Sequence, residues 1–310
     1  MKALVLAGVC LAALAAQEAA AKGARTPRLD GLWTNNSLTS LERDDELKTL
    51  SPSSAEVGAY EAKHLGKAPQ IPGDTVGGAE SEYWETDVGL ARIRGQARSS
   101  WIVSPADGKI PYTAAAKAAN KARGDRYKTN FDGPEARRAS ERCLTTEASG
   151  PPLQNGGYND NYEIVQTPGA IAIYAEFNHD VRVIRMGRGL RHPPAGERRW
   201  MGDSIGHWEG RTLVVETTNF MPAEMMGAPL DPAEDMTVVE RITPIAGDQL
   251  LYEFRVTDPV RFVQTWRGEM VLRRTKGPIY EYACHEGNYS MVNMLQGARD
   301  AEAAARKAGP

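Results

Sequence analysis

The chain has 310 residues, with 37 lysines and arginines against 40 acidic residues, for a formal net charge of −3. That balance, without a basic run interleaved with aromatics, excludes a polycationic nucleic-acid-binding surface. The length suits one large domain or two small ones, and no segment beyond the leader is apolar enough to span a bilayer, so no stable membrane insertion is expected.

In chain order, Lys2 precedes an uncharged apolar run from Ala3 to Ala16, followed by Gln17, Glu18 and an alanine-rich stretch. This is the layout of a secretory signal peptide, cleaved between Ala16 and Ala21. Residues 1–21 are therefore read as a signal, and the mature protein as periplasmic or secreted. Val9 ahead of Cys10 is a poor match to a lipid-anchor site. Signal removal discards Cys10 and leaves Cys143 and Cys284, which an oxidising compartment would join as a disulfide. A catalytic thiol at Cys284, beside His285 and Glu286, is the rival reading.

Residues 22–140 read as an irregular N-terminal region whose short strands and helices pack on the domain that follows. Gly31-Leu32-Trp33 opens a strand. Ser53 and Glu56 form a capping box for a helix to about Leu65. Residues 67–81 are a Gly- and Pro-rich loop. Arg98–Ser104 reads as a strand ended by the turn Pro105-Ala106-Asp107-Gly108. Thr113–Ala122 is helical by composition, and Gly124–Ser140 is a polar surface connection.

Between 141 and 296 short β-rich segments alternate with turn signals. They are Tyr162–Gln166, Ala170–Phe177, Val181–Met186, Arg199–Trp208, Thr212–Phe220, Met236–Thr243, Gln249–Thr257, Phe262–Arg274 and Ile279–Tyr282. In the seventh, Tyr252, Phe254 and Val256 alternate with polar residues, the period of a half-buried strand. The expected fold is mainly β: an antiparallel meander forming a closed or strongly curved barrel, with a few peripheral helices. Closure removes exposed edges and leaves an interior suited to a small ligand. Residues 297–310 form a C-terminal helix.

Three signatures carry a resemblance: GDSIGHWEGRTLVVETTNF (Gly202–Phe220), GPIYEYACHEGNYSMVNMLQGAR (Gly277–Arg299) and GLWTN (Gly31–Asn35). Together they resemble a large family of exported bacterial β-rich proteins. The resemblance implies a signal-bearing β protein and brings no activity with it. Gly31-Leu32-Trp33 is also similar to the Gly-x-Trp that opens lipocalin-type barrels.

The chain has five histidines. Three lie beside acids near strand ends: His179-Asp180, His207-Trp208-Glu209 and His285-Glu286. If they converge on one rim, a neutral histidine with a carboxylate partner acts as a general base. No cofactor is predicted; a divalent metal is the alternative use of such a set, but no H-x-H or H-E-x-x-H spacing is present. On one strand through residues 203–209, Asp203, His207 and Glu209 share a face, and Ser204 points the other way. This argues against a Ser204–His207 nucleophile pair. The candidate catalytic residues are thus His207, Asp203, Glu209, His179 and Asp180. Tyr158, Asn159 and Asn161 offer flat rings and amides for a sugar-like or phenolic ligand, with Glu176, Arg199, Trp208 and His285 completing the binding set. Each has a structural alternative: turn capping, hairpin support or a satisfied polar group. The arginines at 185, 188, 191, 198 and 199 read as a solvated loop, or else as an anion-facing rim.

Two functional classes follow. One is an exported lyase, isomerase or hydrolase using His/carboxylate acid–base chemistry on a small organic molecule. The other is a non-catalytic, lipocalin-like ligand-binding protein.

Overall fold

A computed structural model describes residues 26–66, 88–222, 230 and 232–308. The proposed signal, its cleavage site, Cys10 and the loop 67–81 lie outside them. The described chain is mainly β, built on one closed barrel.

Nine strands form the ring: β1 (Gly31–Thr34), β5 (Asn161–Gln166), β6 (Ala170–Ala175), β7 (Val181–Met186), β8 (Asp203–Glu209), β9 (Thr212–Thr218), β10 (Thr237–Ala246), β11 (Gln249–Thr257) and β12 (Trp266–Arg274). β1 closes the ring by pairing with β5 on one side and with the end of β12 on the other. Gly31-Leu32-Trp33 is a strand, as the sequence predicts, and it belongs to the barrel wall itself. A short β4 (Ile102–Ser104) pairs with the other end of β12, through a register shift at Arg267/Gly268. Two further strands, β2 (Arg92–Ile93) and β3 (Gln96–Ala97), pair with each other.

Alternation sets the wall. Leu250, Tyr252, Phe254 and Val256 of β11 all face inward and are buried. Gly268 of β12 faces Phe254 across the ladder; a Cβ there would lie 2.1 Å from the Phe254 ring. Gly210 takes φ 59 in the β8–β9 turn, a conformation only glycine adopts cheaply.

Two departures from a simple meander matter. β7 and β8 are parallel, because residues 187–202 carry the chain back to the end where β7 began. The Ile279–Tyr282 segment is not a strand. It is an extended strap outside the barrel whose N–H groups bond to side chains, Tyr280 to Glu176 (2.8 Å) and Tyr282 to His179 (3.2 Å), rather than to a neighbouring backbone.

The interior is filled by Trp33, Tyr162, Ile184, Val238, Ile242, Tyr252, Trp266 and Met270, among others. It also holds one charged pair. Arg182 of β7 and Glu240 of β10 meet across the lumen in two hydrogen bonds of 2.6 and 2.7 Å, and both side chains are buried. The Tyr252 hydroxyl donates to Glu240 (2.8 Å) and accepts from the Leu153 N–H (2.9 Å).

The helices are peripheral. α1 (Ser54–His64) starts at the Ser53–Glu56 capping box, as the sequence predicts. α2 (Ala114–Thr129) is capped by Thr113 and runs into the segment read as a surface connection. α3 (Tyr289–Ala308) begins earlier than expected and buries no residue. No helix among the described residues is long and apolar enough to cross a membrane. Cys143 and Cys284 form a disulfide with Cα atoms 5.8 Å apart, which ties the strap and α3 to the segment before β5 and removes the catalytic-thiol reading of Cys284.

Candidate functional site

The predicted site residues divide into three groups. The parallel register of β7 and β8 sets their positions: Ile184 lies beside Ser204 and Met186 beside Gly206. His207 therefore lies at the end of the barrel where β7 finishes. His179, two residues before β7, lies at the opposite end. The length of the wall separates them, and His285 is exposed beside the disulfide. The three His–acid neighbours do not share a hollow.

At the His179 end, the two predicted clusters are neighbours. The Asn161 amide donates to Glu176 (2.7 Å), and Tyr158 packs on Phe177 with centroids 4.9 Å apart. Asn159 holds the turn into β5 at φ 52. These groups grip the chain itself. Buried Glu176 takes the Tyr280 N–H, and the His179 Nε2 accepts from the Tyr282 N–H, which requires that nitrogen to be unprotonated. Asp180 accepts from Ser149 and from Asn178. Burial pushes its pKa up, and those hydrogen bonds only partly offset the push. Burial likewise raises the Tyr158 phenol, helped by nearby Tyr282 and Glu147.

The second group lies on the outer face of β8. Asp203, His207 and Glu209 share that face, as the alternation predicts, and Ser204 points inward to bond Thr217 (2.8 Å). The face is not uniform. Residues 187–202 fold over its first half and bury Asp203. There Asp203 Oδ2 is 2.7 Å from both the Arg185 guanidinium and His192 Nδ1, with Arg199 at 3.8 Å from Oδ1. Burial opposes ionisation of Asp203, but the Arg185 and His192 contacts outweigh it and hold its carboxyl below the ordinary range. His192 Nε2 faces Glu216 of β9 at 3.3 Å. Asp203 thus has a histidine partner, but it is His192, eleven residues away, which no local signal marks. The covering loop is pinned by the Asn219 amide, which donates to the Pro193 (3.0 Å) and Pro194 (3.1 Å) carbonyls. His207 and Glu209, beyond the loop, form a looser 3.4 Å contact, half exposed, and Glu209 also pairs with Arg241 at 2.9 Å.

The third group is a depression of about 600 Å³ at the barrel mouth where β7 ends, lined by His207 and Trp208. Trp208 and Met186 are the last inward residues of their strands and pack against the core. The opposite wall is the segment before β1. Leu29 is fully buried there, and its carbonyl accepts from Trp33 Nε1 (2.8 Å). Arg274 stacks over Trp33 at 4.3 Å and reaches the Asp30 carbonyl. Arg28, Asp30, Gln166 and Arg188 complete the rim. The volume falls within the range of small-molecule pockets. Trp208 and His207 were legible in sequence, and Arg188 was among the arginines read as a solvated loop or an anion-facing rim; Met186 and the 26–30 segment were not, because only barrel closure brings them there.

Among the described residues no group of three or more His, Cys, Asp or Glu side chains is arranged to hold a metal ion. No protein-family model matches the sequence, and no curated protein matches it significantly.

Proposed function

We propose that this protein is an exported barrel that binds a small organic molecule in the mouth depression, with Trp208 under the ligand and His207 at its edge. The observation that carries this reading is the depression itself. It combines two large apolar side chains, Trp208 and Met186, with a mainly polar rim that includes Arg28, Asp30, Gln166 and Arg188, so that one ligand can meet both an apolar surface and hydrogen-bonding groups. The barrel interior supports the same choice: a cavity filled by side chains leaves the mouth as the place for a ligand. The signal-like N-terminus and the Cys143–Cys284 disulfide support an exported location.

The test is a thermal-shift and fluorescence screen of phenolic, sugar-like and aromatic-acid compounds. A hit quenches tryptophan emission saturably in the wild type, less in Trp208→Phe, and is recovered unchanged. A screen without saturable binding at this site overturns the reading.

A second reading, the acid–base enzyme, draws support from the 2.7 Å contact between His192 and buried Asp203, the arrangement that orients a general base. It predicts that a bound compound is converted, and that His192→Gln stops conversion while binding survives. In this reading the working histidine is His192 rather than His207 or His179.

A further inference from the structure

We infer that the mouth depression selects a small anion with a flat apolar body, an aryl carboxylate in chemical class, and that Arg188 and Arg28 do the selecting. The inference rests on the binding reading above and adds the charge and shape of the ligand.

The selectivity follows from which polar atoms of the depression are left to meet a ligand. Asp30 is the one carboxylate lining the depression, and both its oxygens are taken: Oδ1 by the Gln166 N–H (2.9 Å) and Oδ2 by Arg28 Nε (3.0 Å). Burial works against its charge, but these bonds prevail and hold its pKa below the ordinary value, so it stays ionised and donates nothing. The Gln166 side chain is spent on the Leu29 N–H and the Pro27 carbonyl. The Thr167 hydroxyl donates to the Ala170 carbonyl. Apart from the Thr26 hydroxyl, which can donate or accept, what remains are donors. Arg28 uses only Nε on Asp30, which leaves its terminal nitrogens facing out with the side chain largely exposed. Arg188 is exposed, and no carboxylate among the described residues pairs with it. His207 lines the edge, with its Nε2 facing Glu209 at 3.4 Å.

A site whose one carboxylate is engaged by the protein's own donors, and whose guanidinium groups face out, matches a ligand rich in acceptors. Guanidinium groups match a carboxylate in particular, through paired N–H donors. The floor of Trp208 and Met186 matches a planar apolar body. A neutral polyol, which must donate as well as accept, finds few acceptors here. A cation meets like charge.

Calorimetry with 2-naphthoate and its neutral isostere 2-naphthamide tests this. In the wild type at low salt the acid binds at least about threefold tighter than the amide, the order expected of an exposed charge pair. The preference shrinks as ionic strength rises. In Arg28→Gln/Arg188→Gln the preference disappears and the amide binds as before, which shows that the apolar floor and the fold are intact. Equal binding of acid and amide by the wild type overturns the charge inference and leaves the binding reading standing, as does a preference that survives in the double variant. Saturable binding of neither probe sinks the binding reading and the inference with it.

Discussion

Glu240 and Arg241 are consecutive residues of β10, yet their ion pairs belong to different worlds. Glu240 faces the lumen and meets Arg182 with no solvent contact; Arg241 faces out and meets Glu209 with both side chains about half exposed. The same chemistry therefore does two jobs. An inward pair, once desolvated, is an obligation of the fold, since either charge alone would be stranded in a medium that cannot solvate it. An outward pair is dispensable, and its groups are free to meet something else. Asp203 is a third case: an outward residue made inward by the loop 187–202.

The largest effect should come from breaking the lumen pair. Glu240→Gln leaves Arg182 buried and uncompensated, and should cost about 3–5 kcal/mol in urea unfolding. A loss below about 1 kcal/mol would mean that water reaches the lumen. The double replacement Arg182→Met/Glu240→Leu removes both charges and should cost much less than Glu240→Gln alone. If the two lose equally, the packing of those side chains matters more than their charge.

Asp203→Asn comes next, at about 1–3 kcal/mol, because His192 and Arg185 lose a charged partner under the loop. The pH dependence sharpens this. The folded pKa of Asp203 lies below its unfolded value. Its contribution is therefore complete above the unfolded carboxylate pKa and is lost as pH falls through the folded one. The acid limb of the stability curve should be shallower in Asp203→Asn. Asp180, raised by burial, has the opposite sign. It favours folding below the unfolded pKa and opposes it as pH rises through the folded one, so Asp180→Asn should flatten the curve in the reverse sense. The smallest effect belongs to Arg241→Gln, below about 1 kcal/mol and smaller still in high salt.

The sequence discloses the wall well and its ends poorly. Gln249–Thr257 matches its observed limits because a strand buried on one face must alternate; Val181–Met186 matches too, although there Val181 and Val183 face out and Arg182 faces in. The same rule put Asp203, His207 and Glu209 on one face and Ser204 on the other. It failed where structure depends on what is far away. The strap 279–282 has β composition but pairs with no strand among the described residues. The charges at 182 and 240 are not legible as a pair, because only closure of the ring brings β7 and β10 to face each other across the lumen. Adjacency of histidine and acid was also a poor guide. Of the three neighbouring sets only His207 and Glu209, on one face of β8, touch, at 3.4 Å; the closer contact, His192 with Asp203 at 2.7 Å, is made by a residue on the covering loop.

β1 has only four residues, and its two neighbours in the ring begin far downstream, at Asn161 and Trp266. Until those segments exist, Gly31–Thr34 has nothing to pair with. The sheet built from β5 to β12 must meanwhile wait with two raw borders that invite a second chain. Synthesis order and assembly order thus run against each other: the earliest strand among the described residues is among the last that can dock. Such non-local closure slows folding. It makes the short GLWT segment a latch, and blocking it should produce clumping of otherwise sound molecules rather than a local defect.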